Sequence, residues 1–460
     1  EEIYSFFKKK NSNPIKAVIY THNHGDHTFG TSFYLTSQPE RPKIIAHEST
    51  DYYMQRILGI INPIVSVRSA RMFGTQLPEE DLINVGIGKS LNVSKSPPGY
   101  VKPDTTFKDK LILDIAGIDI QLFHAPDNIY KSFPNLYTIR GTTHRDVMGW
   151  IGSLDHMRRL DPQFLFPSHT RPIVGSDVSE ALTLYRDAIQ FVHDQTVRLM
   201  NEGYYPDQIV DMIDLPIKVK ESPFLYEFYG TVRWSVKSIF NGYLGWFNGN
   251  PSDLDPLSRI EEAKQFSKLA GGNEELLKSL NTAIAEEDMQ WALQLSDRLI
   301  ALEFMLDETR ALRKKALIYI GERSSNPNKR NYFLTSAIEL DESFDGFPVA
   351  ERSLDLINEI STDTFFNLLS VRLNPENIYK NNYVACFVFT SGLVKTITIR
   401  NDVAEISNKL EECNITVKSD ESELKLALSG LKNPVQSIAS GDIEVVGGRV
   451  EFLQFLASFK

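Results

Sequence analysis

One short segment constrains this chain more than any other: Ala17-Val18-Ile19-Tyr20-Thr21-His22-Asn23-His24-Gly25-Asp26-His27. An apolar, β-branched run delivers a loop in which three imidazoles and a carboxylate fall within six residues, His22, His24, Asp26 and His27. Gly25 permits a turn that a side chain would hinder. Nitrogen and oxygen donors of this kind favour zinc or a similar divalent ion, and His22/His24 set against Asp26/His27 can serve two adjacent ions. The plainer alternative is a polar turn with solvated histidines, since a motif match is a hypothesis until its context is known.

The rest of the chain sets limits. At about 150 residues per domain, 460 residues suggest roughly three domains. An apolar content of 42% with 24% charged residues is a globular balance, not that of a disordered or fibrous chain. Sixty acidic against 49 basic residues give a net charge of -11, which argues against nucleic acid, whose binding rests on cationic neutralisation of phosphates. No apolar run reaches the roughly 18 residues of a membrane span. Two cysteines, Cys386 and Cys413, allow at most one bridge and show no zinc-finger spacing. The chain opens Glu1-Glu2 without Met, so an earlier segment is expected and a signal peptide in it would go unseen. Two sequons, Asn92-Val93-Ser94 and Asn414-Ile415-Thr416, permit glycosylation in a secretory setting but are frequent by chance. The compartment is left open.

Three regions follow from local pattern. Residues 1–255 mix strand-like runs (17–20, 44–46, 111–113, 118–123) with helical periodicity over 181–200, and hold eight of the nine histidines before residue 170. This predicts an α/β catalytic domain. Residues 256–348 turn to Ala, Leu, Glu, Lys and Gln, with long amphipathic segments at 274–302 and 308–322. An all-helical hairpin or bundle is expected, without a clear repeat period. Residues 349–460 return to strands (383–389, 394–399, 403–406, 415–418, 443–446) with helices at 421–429 and 450–459, an α+β module. Phe452, Leu453, Phe455, Leu456 and Phe459 supply the last helix with an apolar side, either an ordinary core or one wall of a ligand tunnel.

The HxHxDH pattern after a strand resembles the metallo-β-lactamase superfamily. That resemblance implies an αββα sandwich with a dinuclear metal site. It also implies two later ligands: Asp127 in Pro126-Asp127-Asn128, similar to the carboxylate bridging both ions, and His169 in Phe166-Pro167-Ser168-His169, similar to the late histidine. Each has a bland reading as a loop residue, Asp-Asn being a common turn pair. The superfamily also carries a His or Glu ligand ahead of the bridging Asp. Here Gln121-Leu122-Phe123-His124-Ala125-Pro126-Asp127 leaves no room for the hairpin that bears it. Either the ligand has been lost, or a loop between Pro126 and Asp127 is absent from this sequence; the second reading is favoured, and His124 is not taken as a substitute.

Several segments narrow the resemblance to the alkylsulfatases that degrade alkyl sulfate surfactants. They are Asn135-Leu136-Tyr137-Thr138-Ile139-Arg140-Gly141, the stretch 192–199, Tyr229-Gly230-Thr231-Val232, and Gly242 to Phe247 followed by Gly249-Asn250-Pro251. This resemblance implies a helical dimerisation block, hence a homodimer, and a C-terminal sterol-carrier-protein-like domain able to receive an alkyl tail. The implied reaction is hydrolysis of alkyl sulfates by water activated between two divalent ions, most simply Zn2+. Arg140 would fork onto the sulfate oxygens, with Asn135, Tyr137 and Thr138 beside it. Asp26 joins Arg140 and His144 in the catalytic set, His144 as proton donor to the leaving group, with Tyr137 a second candidate. The plainer readings are an Arg140 ion pair with Asp146 and a surface-loop His144. The rivals are a glyoxalase-II-like thioesterase or a lactamase, and a lipid-binding protein whose metallo domain is inactive.

Overall fold

The computed structural model describes residues 2–89, 99–347 and 354–459, and the sequon at Asn92 lies outside them. The chain forms two compact units that do not follow chain order. One unit comprises 1–64, 94–124 and 349–460; the other comprises 65–93 and 125–348.

In the first unit, the strands Ala17–Ile19, Lys43–His47 and Thr105–Phe107 form a parallel sheet with Lys43–His47 in the centre. The central strand is the most buried, since it is paired on both sides and covered on both faces, and Ile44, Ile45 and Ala46 are buried. Tyr20 closes the first strand, its hydroxyl donating to the Val101 carbonyl at 2.8 Å. Lys110–Ile115 and Ile118–Phe123 make an antiparallel hairpin. Its two-residue turn needs positive φ at both positions, and Ala116 (56°) and Gly117 (80°) supply it.

The C-terminal part of the same unit is a five-stranded sheet in the order 403–407, 394–400, 383–389, 415–419, 443–446. All its pairs are antiparallel except the central one between Tyr383–Phe389 and Ile415–Ser419. Phe365, Phe366, Phe387, Phe389, Phe452 and Phe455 fill its core, so the aromatic side of the last helix, Arg449–Ala457, packs inward. Cys386 and Cys413 form a disulfide. This module is stitched to the N-terminal segments of its unit: Ser361 donates to the Gln55 side chain at 2.9 Å, and Glu359 accepts from the Lys102 amide at 3.0 Å.

The second unit is mostly helical. Helix Ser176–Asn201 buries a stripe that includes Val178, Leu182, Tyr185, Ile189, Val192 and Leu199, the apolar face its 3.6-residue period predicts. Val147–Arg159 packs on it, with Trp150 fully buried and 6.1 Å from the Tyr185 ring. Beyond Pro206–Met212, Ile217–Lys220 and Val232–Leu244 come five consecutive helices, Arg259–Ala270, Asn273–Ala285, Met289–Ala301, Leu306–Glu322 and Pro327–Ile338. The amphipathic run expected to continue from 274 to 302 is broken at Glu287, whose φ is +60°. Asp288 then caps the next helix by accepting from the Trp291 amide. No helix among the described residues is long and apolar enough to cross a membrane.

Candidate active site

Four of the six candidate metal ligands, His22, His24, Asp26 and His27, lie in the first unit. The Tyr20 amide still pairs with the Ile45 carbonyl at 2.9 Å, after which the chain turns through His22 to His24 and enters the short helix Gly25–Thr28. A Cβ on Gly25 would stand 2.4 Å from the Phe29 ring, so a side chain there would have to displace that ring. The ring of His22 lies 4.6 Å from that of His24 and 4.1 Å from that of His27. His27 Nε2 is 3.2 Å from Asp26 Oδ2, and the Thr28 hydroxyl ties the turn to the His24 carbonyl at 3.0 Å. Three gathered imidazoles and a carboxylate are a borderline-soft donor set, which fits a zinc-type ion.

The other candidates lie in the second unit. Asp127 Oδ1 accepts from the Asn128 amide at 2.7 Å, while Oδ2 is ion-paired with Arg145. Burial pulls the Arg145 guanidinium down to about 10, so it stays charged at neutral pH. His169 sits in the loop between the two-residue strands Phe164–Leu165 and Ile173–Val174. That loop is pinned to the chain just beyond Asp127. The Ser168 amide donates to the Ile129 carbonyl at 3.2 Å, and Thr170 Oγ1 accepts from the Lys131 amide at 3.3 Å.

The segment from Asn135 to Arg140 is a buried loop held on several sides. Arg68 donates to the Ile139 carbonyl at 2.6 Å and Ser238 to the Leu136 carbonyl at 3.3 Å. Thr138 is buried and its hydroxyl donates to the Met72 sulfur at 3.3 Å; Tyr137 is half-buried. Asn135 is 4% exposed, its carbonyl accepts from Arg145, and its Oδ1 has no hydrogen-bond partner among the described residues. Arg140 donates to the Tyr229 hydroxyl at 2.8 Å and lies 5.9 Å from the Phe73 ring centre. Asp146, the acid weighed as an Arg140 partner, instead caps the helix Val147–Arg159 by accepting from the Gly149 amide at 3.0 Å. His144 is exposed and its ring fills the space beside Gly242, where a Cβ would come within 2.1 Å of it.

Two residues of this region escaped the sequence reading of the site. Arg145 carries no local signal beyond its charge. Tyr229 was visible only as part of a resemblance, 89 residues from the arginine it holds.

Comparison with known proteins gives this geometry a setting. Residues 205–343 match the alkyl sulfatase dimerisation family and residues 350–460 the alkyl sulfatase C-terminal family. A linear primary-alkylsulfatase from Pseudomonas sp. is 30% identical over 497 residues, covering 100% of this chain and 94% of the relative. An alkyl/aryl-sulfatase from Saccharomyces cerevisiae is 24% identical over 495 residues, covering 100% of this chain and 76% of the relative. A solved structure, the stereoselective inverting sec-alkylsulfatase from Pseudomonas sp., superposes with a TM-score of 0.91 at 22% identity over 100% of this chain and 78% of its own. These relationships place the chain among the sulfuric ester hydrolases. Within that class, it belongs to the alkylsulfatase family.

Proposed function

We propose that this protein hydrolyses alkyl sulfate esters to an alcohol and inorganic sulfate, using water activated between two divalent metal ions, most simply Zn2+. The gathered imidazoles of His22, His24 and His27 beside Asp26, in a chain of this family, carry the reading. His22, His24, Asp26, His27, Asp127 and His169 are the proposed ligands. The bound ions would supply hydroxide near neutral pH and offset charge on the ester.

The remaining work falls to the chain itself. Arg140 orients the sulfo group through a forked guanidinium, with Asn135, Tyr137 and Thr138 shaping the loop around it. His144, exposed at the end of that loop, passes a proton to the departing alkoxide oxygen. Asp26 takes part in the chemistry as well as in ligation.

The wider reading is a metallo-β-lactamase-like αββα catalytic domain over 1–255, a helical dimerisation domain over 256–348 that makes a homodimer, and a sterol-carrier-like domain over 349–460. The family matches at 205–343 and 350–460 support the last two. The Pseudomonas relative aligns over 497 positions against 460 residues here, so at least 37 of its positions have no counterpart in this chain. That supports the absence of an internal segment, the favoured reading at Pro126-Asp127. The missing first-metal ligand between Gln121 and Asp127 is the one feature that favours a second function, lipid binding by a chain whose metallo domain is inactive.

Sulfate release from dodecyl sulfate, with metal analysis, separates the two. The proposal expects about two ions per chain, as a dinuclear site requires, with release abolished by chelator and restored by zinc. Metal bound without sulfate release would turn attention to thioesters, and a chain that binds no metal would leave the lipid-binding reading.

A further inference from the structure

One phenol, Tyr229, holds the guanidinium of Arg140, and a second, Tyr130, packs against the first. Tyr229 is 5% exposed, with its hydroxyl receiving the Arg140 hydrogen bond at 2.8 Å. Its backbone is fixed from two directions. Asn326, at the cap of the helix Pro327–Ile338, donates to the carbonyls of Glu227 and Tyr229 at 2.7 and 3.2 Å. The next residue, Gly230, packs so closely on the loop that carries Asn135 that a Cβ would stand 2.3 Å from the Pro134 carbonyl oxygen. The aromatic ring of Tyr130 meets that of Tyr229 edge-on at 5.8 Å. Tyr130 is also 5% exposed, yet its hydroxyl has no hydrogen-bond partner among the described residues.

A buried hydroxyl left unpaired is costly, and native structures keep few of them without a use. Burial raises the Tyr130 hydroxyl well above the usual phenol range, with the Arg140 charge a smaller opposing pull, so it remains a proton donor. A sulfo group presents three non-bridging oxygens. A forked guanidinium can take two of them, which leaves one for a neutral donor.

We infer that Tyr130 and Tyr229 complete the anion-recognition end of the site: Tyr229 is a positioning residue that fixes the Arg140 guanidinium, and Tyr130 donates its spare hydroxyl proton to the sulfo oxygen that Arg140 leaves uncovered. The inference rests on the proposed role of Arg140. It adds a donor and a support residue, both outside the metal ligands, and the support reaches Arg140 from the region that matches the dimerisation family.

The test uses the full-length chain with inorganic sulfate as the probe, read by calorimetry, beside KM and kcat for dodecyl sulfate and the unfolding midpoint. Tyr130→Phe should weaken sulfate binding and raise KM about three- to tenfold, the range of one neutral hydrogen bond, with kcat little changed. Its unfolding midpoint should not fall, because an unpaired polar atom has been removed. Tyr229→Phe should weaken sulfate binding similarly, and its effect should shrink in an Arg140→Lys background, where the shared bond is already lost. Wild-type sulfate affinity and KM in Tyr130→Phe, with a raised midpoint, would show the hydroxyl to be merely unsatisfied and would overturn its assignment. Additive losses from Tyr229→Phe and Arg140→Lys would overturn the positioning role. Tyr130-dependent sulfate binding by a wild-type chain that releases no sulfate would sustain the inference and sink the hydrolase reading. A wild-type chain that neither binds nor releases sulfate would sink both.

Discussion

Arg145 and Asp127 form an ion pair almost closed to solvent, their side chains 9% and 7% exposed. Neither charge has much water to fall back on. Removing the cation alone strands a buried carboxylate, so Arg145→Met is expected to cost about 3–5 kcal/mol in urea unfolding. Adding Asp127→Asn should recover most of that loss, because the stranded charge is gone. A double variant as unstable as the single one would show that Arg145 matters through its packed stem rather than its charge.

The contact between His144 and Gly242 gives a second expectation. A Cβ at 242 would come within 2.1 Å of the imidazole, so Gly242→Ala must displace the ring. Loss of a general acid typically costs on the order of 100-fold or more in rate. His144→Gln should therefore lower kcat by about that factor, and Gly242→Ala should lower it in the same direction. In the His144→Gln background the glycine change should add little. Additive effects in steady-state kinetics would show that the glycine acts apart from the imidazole, and an unchanged kcat in His144→Gln would remove His144 from the mechanism.

His47 and His124 stack with ring centres 4.0 Å apart and planes 17° apart. Burial, and then the neighbouring imidazole, hold His47 below the usual range for histidine, against smaller opposing pulls from the Lys108 backbone, Glu48 and Asp109. The unfolded chain thus takes up this proton at a higher pH than the folded one does. The stability it contributes is complete above about pH 6.5 and is lost as pH falls from there through the depressed folded value. Melting temperature should drop on acidification across that window, and less steeply in His124→Gln. An unchanged slope in that variant would assign the acid sensitivity to other groups.

The Cys386–Cys413 disulfide closes a loop of 27 residues' separation inside the C-terminal sheet module. Chain-entropy arguments give a crosslink of that span roughly 3–4 kcal/mol. Replacing both cysteines with serine should lower the guanidinium unfolding midpoint accordingly, and reductant should then have no further effect. A midpoint insensitive to both would mean that this crosslink does not measurably restrict the unfolded chain.

What could be read in advance was local. His22, His24, Asp26 and His27 crowd into six residues behind an apolar strand, so their grouping survives any uncertainty about the rest of the fold. The helix Ser176–Asn201 and the C-terminal strands announced themselves by period, because one face of each is buried. The break at Glu287 was missed because a left-handed residue between two amphipathic stretches leaves the apolar pattern almost intact. The partners of Asp127 and Arg140 were missed for a different reason. Arg145 and Tyr229 reach them from loops 18 and 89 residues away, and contacts between irregular segments have no period to betray them.

The discontinuous unit has a consequence for how the molecule is made. Gln55 and Lys102 find their partners at Ser361 and Glu359, with the whole of 125–348 synthesised in between. At about 5–20 residues per second, the early strands wait roughly 10–45 seconds for the segment that completes their unit. During that interval the segments beside the strand that leads to His22 lack the partners of Gln55 and Lys102, and a chain broken off before residue 359 never supplies them.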